Sequence, residues 1–192
     1  MSKTVQGMKK RNIALPLSFI LYEHADPSHP RINRVKWNPK FGEILAAACA
    51  DGRLRVWNVY ERKIVFQDEA HKGQNLHVVW HHDGEELATG GDDGKVIRWI
   101  FYSDEEKIEV SRNYSFNTEI LDLKYEPIGD SIYVLIKGCE NCLYTCTFGY
   151  YSADKETITF PISIIIRQFV FDKTGRYIAL GLIDKGSYGS SI

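Results

Sequence analysis

The sequence has few of the features that mark membrane-spanning, secreted or nucleic-acid-binding proteins. Its 192 residues carry a formal net charge of −1 and include only four cysteines. No apolar run approaches the roughly 20 residues that a membrane-spanning helix requires. The near-zero charge leaves no electrostatic footprint for nucleic acid or anionic lipid. We therefore expect neither membrane insertion nor direct binding of nucleic acid, because the composition is that of a folded globular chain.

The cysteines are too few and too unevenly spaced for a disulfide framework. Cys139 and Cys142 form one Cys-x-x-Cys pair, which is half of a zinc site, and no second pair follows at the usual spacing. Cys142 and Cys146 lie at even spacing on an expected strand, where both would face one side as small apolar fillers. We therefore expect free thiols in a reducing, intracellular compartment, and no bound metal.

Motifs of the common enzyme classes are missing as well. The sequence contains no glycine-rich phosphate loop, no metal-binding helix motif and no nucleophile elbow. No cofactor is expected. His81, His82 and the acidic run at 103–106 are interpreted as solvated loop residues.

An apolar stretch near the N-terminus, residues 13–21, follows three basic residues as it does in a secretory signal. Pro16 interrupts the stretch and a poor cleavage site follows it. An N-terminal β-strand is therefore the favoured interpretation.

The dominant feature of the sequence is a repeat of about 42 residues. Residues 34–42 recur as 77–84, and residues 44–57 recur as 86–99. Two weaker copies begin near Leu121 and Gln168. Periods of this length are typical of arrays in which one supersecondary unit is repeated.

Each repeat reads as a set of antiparallel strands. Short runs rich in Val, Ile, Leu, Trp and Tyr alternate with Asp-Gly turns, which hairpins favour. In the second repeat this pattern predicts strands at 75–81, 86–90, 95–100 and 107–110, and no segment has helical periodicity. Four strands in each unit of 40–45 residues are typical of propeller blades, which bury their faces against neighbouring blades.

The second repeat resembles the WD-repeat family of transducin-β-like propellers. It carries Val78-Val79-Trp80, Asp83-Gly84, Asp93-Gly94 and Trp99 in the family order. The resemblance is strong over 24–110 and weak over 111–192. It implies an all-β, partial WD-repeat propeller of about three and a half four-stranded blades, with blades at about 24–67, 71–110, 116–160 and 162–182.

The ends of the chain are assigned by the same resemblance. Residues 1–23 would form an N-terminal strand or extension, and residues 183–192 a tail without strand character. The tail lacks the Asp-Gly turn and the Trp-ended strand that should follow. A truncated chain is therefore favoured over two alternatives, an open propeller completed by another chain and a divergent continuation.

The resemblance also implies a buried, hydrogen-bonded tetrad in the second blade, made of His71, Thr89, Asp93 and Trp99. An indole donor, a hydroxyl, an imidazole and a carboxylate can satisfy one another in a chain. The set could be mistaken for a catalytic triad. A triad, however, would not explain Trp99, and it would need an exposed nucleophile.

The other blades depart from this pattern, and where hydrogen-bonding members are missing they are expected to rely on apolar packing. The matching positions hold His29, Ala47, Asp51 and Trp57 in the first blade, Phe116 and Lys137 in the third, and Ile162 in the fourth.

By the same resemblance, the expected function is a non-enzymatic protein-interaction scaffold. Its partners would be proteins or peptides bound across the loops at the narrow end of the propeller, and candidate contacts are Asn33, Asn75 and Asp92. The alternative is a propeller domain of a larger enzyme or nucleic-acid-processing assembly, whose remaining part lies beyond residue 192. A third hypothesis, a catalytic site at His71 and Thr89, requires that both side chains be accessible.

Overall fold

The computed structural model describes residues 30–139, 142–148, 153–160 and 165–183, and within these ranges it contains fourteen strands and no helix. No helix in this part of the chain could span a membrane. The strands form three four-stranded antiparallel sheets and one two-stranded sheet, each in chain order. The predicted all-β fold with three and a half blades is confirmed.

The strands of the first sheet are β1 (Ile32–Trp37), β2 (Ile44–Cys49), β3 (Arg53–Asn58) and β4 (Lys63–Glu69). Those of the second are β5 (Asn75–Trp80), β6 (Glu86–Gly91), β7 (Lys95–Tyr102) and β8 (Lys107–Ser115). Those of the third are β9 (Ile120–Tyr125), β10 (Ile132–Ile136), β11 (Cys142–Phe148) and β12 (Ala153–Thr159), and the last sheet pairs β13 (Ile165–Phe171) with β14 (Ile178–Ile183). The predicted strands of the second blade are present, and β8 extends beyond residue 110 because it pairs with all of β7.

The hydrophobic core lies between neighbouring sheets. Leu54 and Val56 of the first sheet belong to the same buried cluster as Trp80 and Trp99 of the second. A second cluster joins the second and third sheets, and a third joins the third sheet to β13. Each sheet therefore buries a face against the next one along the chain, as propeller blades do.

The first strands of successive sheets, β1, β5, β9 and β13, lie side by side. In each sheet the ladder between the first and second strands skips one residue of the first strand, and the four skipped residues are Asn33, Leu76, Leu121 and Arg167. Bulges of this kind redirect side chains at the point where they occur. The innermost strand of every sheet thus has the same local irregularity.

Polar contacts also connect adjacent sheets. The Trp80 indole donates to the Lys36 carbonyl at 3.1 Å, and the Asn38 side-chain amide donates to the Gly84 carbonyl at 2.7 Å. At the repeat position that matches Asn38, His81 Nε2 lies 3.2 Å from the Gly129 carbonyl. The prediction that His81 is a solvated loop residue is wrong: its side chain is buried because it bridges to the turn of the third sheet. His82 is exposed.

The cysteines differ in part from expectation. Cys139 and Cys142 are joined in a disulfide, so the prediction of free thiols is wrong for this pair. The chain turns at Gly138 and brings their Cα atoms to 5.9 Å, a separation that suits a disulfide. Cys49 and Cys146 are buried and form no disulfide. Cys142 and Cys146 are both buried on β11, as the strand periodicity predicts.

The N-terminal strand predicted over 1–23, the residues His29 and Ile162, and residues 184–192 of the predicted tail lie outside the described residues. Ile183, which was predicted to begin the tail without strand character, is the last residue of β14.

Substitution of Gly94 tests the contact between a turn and the next sheet. Gly94 has a φ of +74°, and a Cβ there would lie 2.3 Å from the Phe116 carbonyl oxygen. We expect Gly94→Ala to lower the free energy of unfolding by more than about 2 kcal/mol, measured by urea denaturation, because backbone strain and collision add.

Two glycines provide matched controls. Gly138 has a φ of +78°, and Gly42 has no positive φ. A Cβ on either glycine would meet no described atom within 4 Å. Gly138→Ala should therefore show the strain alone, and Gly42→Ala should have little effect. Equal losses at Gly94 and Gly138 would contradict the collision.

Candidate functional site

The four predicted tetrad residues meet in one buried chain of hydrogen bonds. His71 precedes β5, Thr89 lies in β6, Asp93 lies in the turn after β6, and Trp99 lies in β7. His71 Nδ1 is 2.9 Å from Asp93 Oδ1, and His71 Nε2 is 3.0 Å from Thr89 Oγ1. The Trp99 indole N–H donates to Thr89 Oγ1 at 3.1 Å.

One assignment of protons satisfies every member. Asp93 can only accept, so His71 Nδ1 donates to it, and the neutral ring then accepts from the Thr89 hydroxyl at Nε2. The Thr89 oxygen in turn accepts from Trp99. Asp93 also accepts from the backbone N–H groups of Lys72 and Lys95. The tetrad therefore fixes the start of β5 and the β6–β7 turn as one unit.

The charges of the tetrad follow from burial and hydrogen bonding. Burial lowers the pKa of His71 and outweighs the opposing effect of Asp93. The pKa of Asp93 is also lowered, because the hydrogen bond from His71 and those from the backbone outweigh its partial burial. A neutral imidazole beside an ionised carboxylate is the state that the proton assignment requires.

Gly91 leaves space for the tetrad because it has no side chain. A Cβ on Gly91 would lie 2.5 Å from His71 Nδ1 and 2.9 Å from Asp93 Oδ1. His71 and Thr89 are 2% and 0% exposed. A hydroxyl that is fully buried and bonded on both sides cannot reach a substrate, so the hypothesis of a catalytic His71–Thr89 site lacks the exposed nucleophile that it requires.

The first blade uses different partners at the matching positions. Asp51 forms a bidentate pair with Arg55, with Oδ2 2.6 Å from Nη2 and Oδ1 3.1 Å from Nη1. Arg55 lowers the pKa of Asp51 against the effect of partial burial. Ala47 and Trp57 are buried in the same apolar cluster. The sequence comparison missed Arg55, whose position in the second blade is held by Ile97.

The third blade replaces the tetrad with apolar packing around Phe116, which contacts Tyr144 edge to face at 5.3 Å. The placement of Lys137 at the hydroxyl position is wrong. Trp80 pairs with Leu87 in the second sheet, and Tyr125 pairs with Ile132 at the same separation in the third. This register puts Val134, not Lys137, at the position of Thr89. Lys137 lies in the following turn and pairs with Glu119. By the same register, buried Cys146 lies where Trp99 does in the second blade.

The candidate partner-binding residues gather around Gln74, which the sequence reasoning missed. The Gln74 side-chain oxygen accepts from Arg31 at 3.2 Å and from Asn33 at 3.5 Å. Its carbonyl accepts from the backbone N–H of Asp92 at 3.1 Å. We call Arg31, Asn33, Gln74 and Asp92 the Gln74 surface. Asn75, the next residue, begins β5.

His77 is a second residue that no sequence motif marks as functional. It follows the bulge of β5 and is buried. Burial, reinforced by the positive charge of Arg34, lowers its pKa to about 4. Its Nδ1 atom has no hydrogen-bond partner among the described residues and lies 4.0 Å from Asp122 Oδ1.

No group of three His, Cys, Asp or Glu side chains within the described ranges is arranged to hold a metal ion.

Removal of the Thr89 hydroxyl tests the tetrad. Thr89→Val keeps the shape of the side chain but leaves the Trp99 indole and His71 Nε2 without their partner. We expect the free energy of unfolding to fall by about 1–3 kcal/mol. Thr157→Val on exposed β12 is the control and should change it by less than about 0.5 kcal/mol. Equal effects would show that the tetrad adds nothing.

Two histidines with lowered pKa values predict a loss of stability in mild acid. Below about pH 6.5 the unfolded chain binds protons at His71 and His77, whereas the folded chain does so only at lower pH. The free energy of unfolding therefore decreases as the pH is lowered. For His77 the loss develops between about pH 7 and pH 4 and reaches about 3 kcal/mol. His77→Gln should reduce the slope of unfolding free energy against pH. The smaller slope that remains should come from His71. An unchanged slope would contradict the assignment.

Comparisons with known proteins agree with this architecture. The family model "WD domain, G-beta repeat" matches residues 17–58 and 62–99. The Retinoblastoma-binding protein 5 homolog of Drosophila melanogaster is 28% identical over 92 residues, which are 48% of this chain and 18% of that protein. The Periodic tryptophan protein 2 homolog of Dictyostelium discoideum is 27% identical over 74% of this chain and 15% of its own.

Solved propellers share the fold at low sequence identity. The β-propeller domain of Cps50 (Swd1) from Myceliophteria thermophila superposes with a TM-score of 0.61 at 16% identity, over 69% of this chain and 44% of that one. A chain of the mitotic checkpoint complex gives a TM-score of 0.65 at 17% identity, over 79% and 46%. The chain thus spans less than half the length of these relatives and structures. The chain therefore contains WD repeats over residues 17–58 and 62–99, and it has the blade architecture of a β-propeller.

Proposed function

We propose that this chain is a non-enzymatic scaffold that binds a protein or peptide partner through the Gln74 surface. The main observation is that the Arg31 and Asn33 side chains of the first blade both donate to the side-chain oxygen of Gln74, which precedes the second blade's first strand. Exposed polar groups on loops that a rigid scaffold positions are typical of binding sites.

The tetrad supplies that rigidity. Asp92 directly precedes Asp93, and Lys72, which donates to Asp93, lies two residues before Gln74. The hydrogen bonds of the tetrad therefore fix the β6–β7 turn and the segment before β5 in position. A surface that is ordered before binding loses less conformational entropy on association.

The relatives support an interaction role in general terms. One related sequence is named THO complex subunit 3, from Arabidopsis thaliana, and is 24% identical over 54% of this chain. One structural neighbour is a chain of an assembled checkpoint complex. We propose that this chain likewise acts inside the cell as a subunit of a multiprotein complex. The alternative, a propeller within a larger enzyme or nucleic-acid-processing assembly, predicts a chain that continues past residue 192.

Partner capture tests this proposal. The chain carrying Asn33→Ala, Gln74→Ala and Asp92→Ala should lose proteins that the unaltered chain retains in affinity purification with quantitative mass spectrometry. The surface side chains are removed while the tetrad beneath them stays intact, so the urea midpoint should change little.

The matched control lies at the opposite end of the same blades. Lys40 and Glu85 form an exposed ion pair of 2.5 Å between the first and second sheets. Lys40→Ala with Glu85→Ala should keep the captured proteins. Full capture by the Gln74-surface variant, or equal loss in both variants, would overturn the assignment of the binding face.

A further inference from the structure

A cavity of about 470 Å³ opens between the first strand of the first sheet and the last two sheets. β1, β9, β13 and β14 all contribute to its wall. It is separate from the Gln74 surface, with which it shares no residue. Its size is in the range of ligand-binding pockets.

The charged residues of the cavity are mainly cationic. Arg34, Lys124 and Arg167 line it together with one carboxylate, Asp122. Lys124 Nζ lies 2.8 Å from Asp122 Oδ2, so these two charges offset each other. Within the described part of the chain, Arg34 and Arg167 have no carboxylate at ion-pair distance. Two exposed guanidinium groups therefore face the cavity without an anionic partner.

The buried His77 side chain lies close to the positive charges of the cavity. His77 is 6% exposed, packs beside Asp122 and has no hydrogen-bond partner for Nδ1 among the described residues. After burial, the charge of Arg34 is the largest influence that lowers its pKa, and Lys124 acts in the same direction. The lining thus has an excess of positive charge that nothing in the described chain neutralises.

The apolar part of the lining lies next to these cations. Leu121 is 37% exposed, and Phe169 packs under the Lys124 ammonium group at 5.1 Å from its ring centroid. Leu121 and Arg167 are both bulge residues of their strands. The bulges of β9 and β13 therefore supply one apolar and one cationic side chain to the same cavity.

We propose that this cavity binds a peptide segment in which acidic side chains alternate with apolar ones. The inference rests on the proposed scaffold function and names the chemistry of a partner. Guanidinium groups pair with carboxylates through two parallel hydrogen bonds, and the neighbouring apolar wall takes up aliphatic side chains. Nucleic acid fits less well, because the chain has a net charge of −1 and two unpaired arginines are too few to follow a phosphate backbone.

Synthetic peptides test the inference on the full chain. The probe is a fluorescein-labelled peptide of alternating Glu and Leu, and the comparison probe has Gln in place of Glu. In fluorescence anisotropy we expect the Glu peptide to bind at least about tenfold more tightly than the Gln peptide. Raising the salt concentration should weaken only the Glu peptide, because the added contacts are ionic.

Matched variants locate the binding. Arg34→Gln with Arg167→Gln should weaken the Glu peptide by about tenfold or more. The control is Lys173→Gln with Arg176→Gln, which removes the same charge from exposed residues of the β13–β14 turn.

Three results would overturn the inference. The first is equal binding of the two peptides, and the second is equal weakening by the two double variants. The third is an oligothymidine probe that binds as tightly as the Glu peptide and with the same dependence on Arg34 and Arg167. None of these results bears on capture through the Gln74 surface, so the proposed scaffold function can fail or survive separately.

Discussion

The structure depends on the requirement that each sheet bury a face against the next one. A single four-stranded sheet leaves apolar side chains such as Leu54 and Val56 exposed unless a second sheet supplies Trp80 and Trp99. Burial of this kind is nondirectional and does not fix the angle or register between sheets. Polar contacts between sheets do so here, through Asn38, Trp80 and His81. Apolar area provides the driving force, and these hydrogen bonds select one arrangement.

The tetrad illustrates a second route to the same end. Buried polar groups are costly unless every donor and acceptor is satisfied. The second blade meets that condition with His71, Thr89, Asp93 and Trp99, and the third avoids it with Phe116, Val134 and Cys146 at matching positions. The first blade takes a third course, in which Asp51 pairs with Arg55 inside its own sheet. One backbone architecture therefore accommodates three chemically different interiors.

The sequence predicted what recurs with the repeat. It failed for several contacts that cross between repeats, and also for two local pairs, Asp51 with Arg55 and Cys139 with Cys142. The period of about 42 residues and the Asp-Gly turns predicted the strands of the second repeat, and the resemblance to WD repeats implied the tetrad residues. Nothing local marks Gln74 or His77, because their roles depend on a neighbouring blade. His81 was misjudged for the same reason, since its partner Gly129 is 48 residues away. Lys137 was misplaced because the weak third repeat allows several alignments, and only strand pairing selects Val134.

The turn glycines also bear on the order in which the chain can fold. The Gly52 carbonyl accepts the N–H of His71, and the Gly94 carbonyl accepts the N–H of Phe116. The first and the second sheet thus each bond to residues that are synthesised immediately after them. Contacts that join consecutive units close short loops, which carry a small entropic cost. A nascent chain can therefore fold one blade after another as it leaves the ribosome. The segment that follows a blade then forms the hydrogen bonds that stabilise that blade.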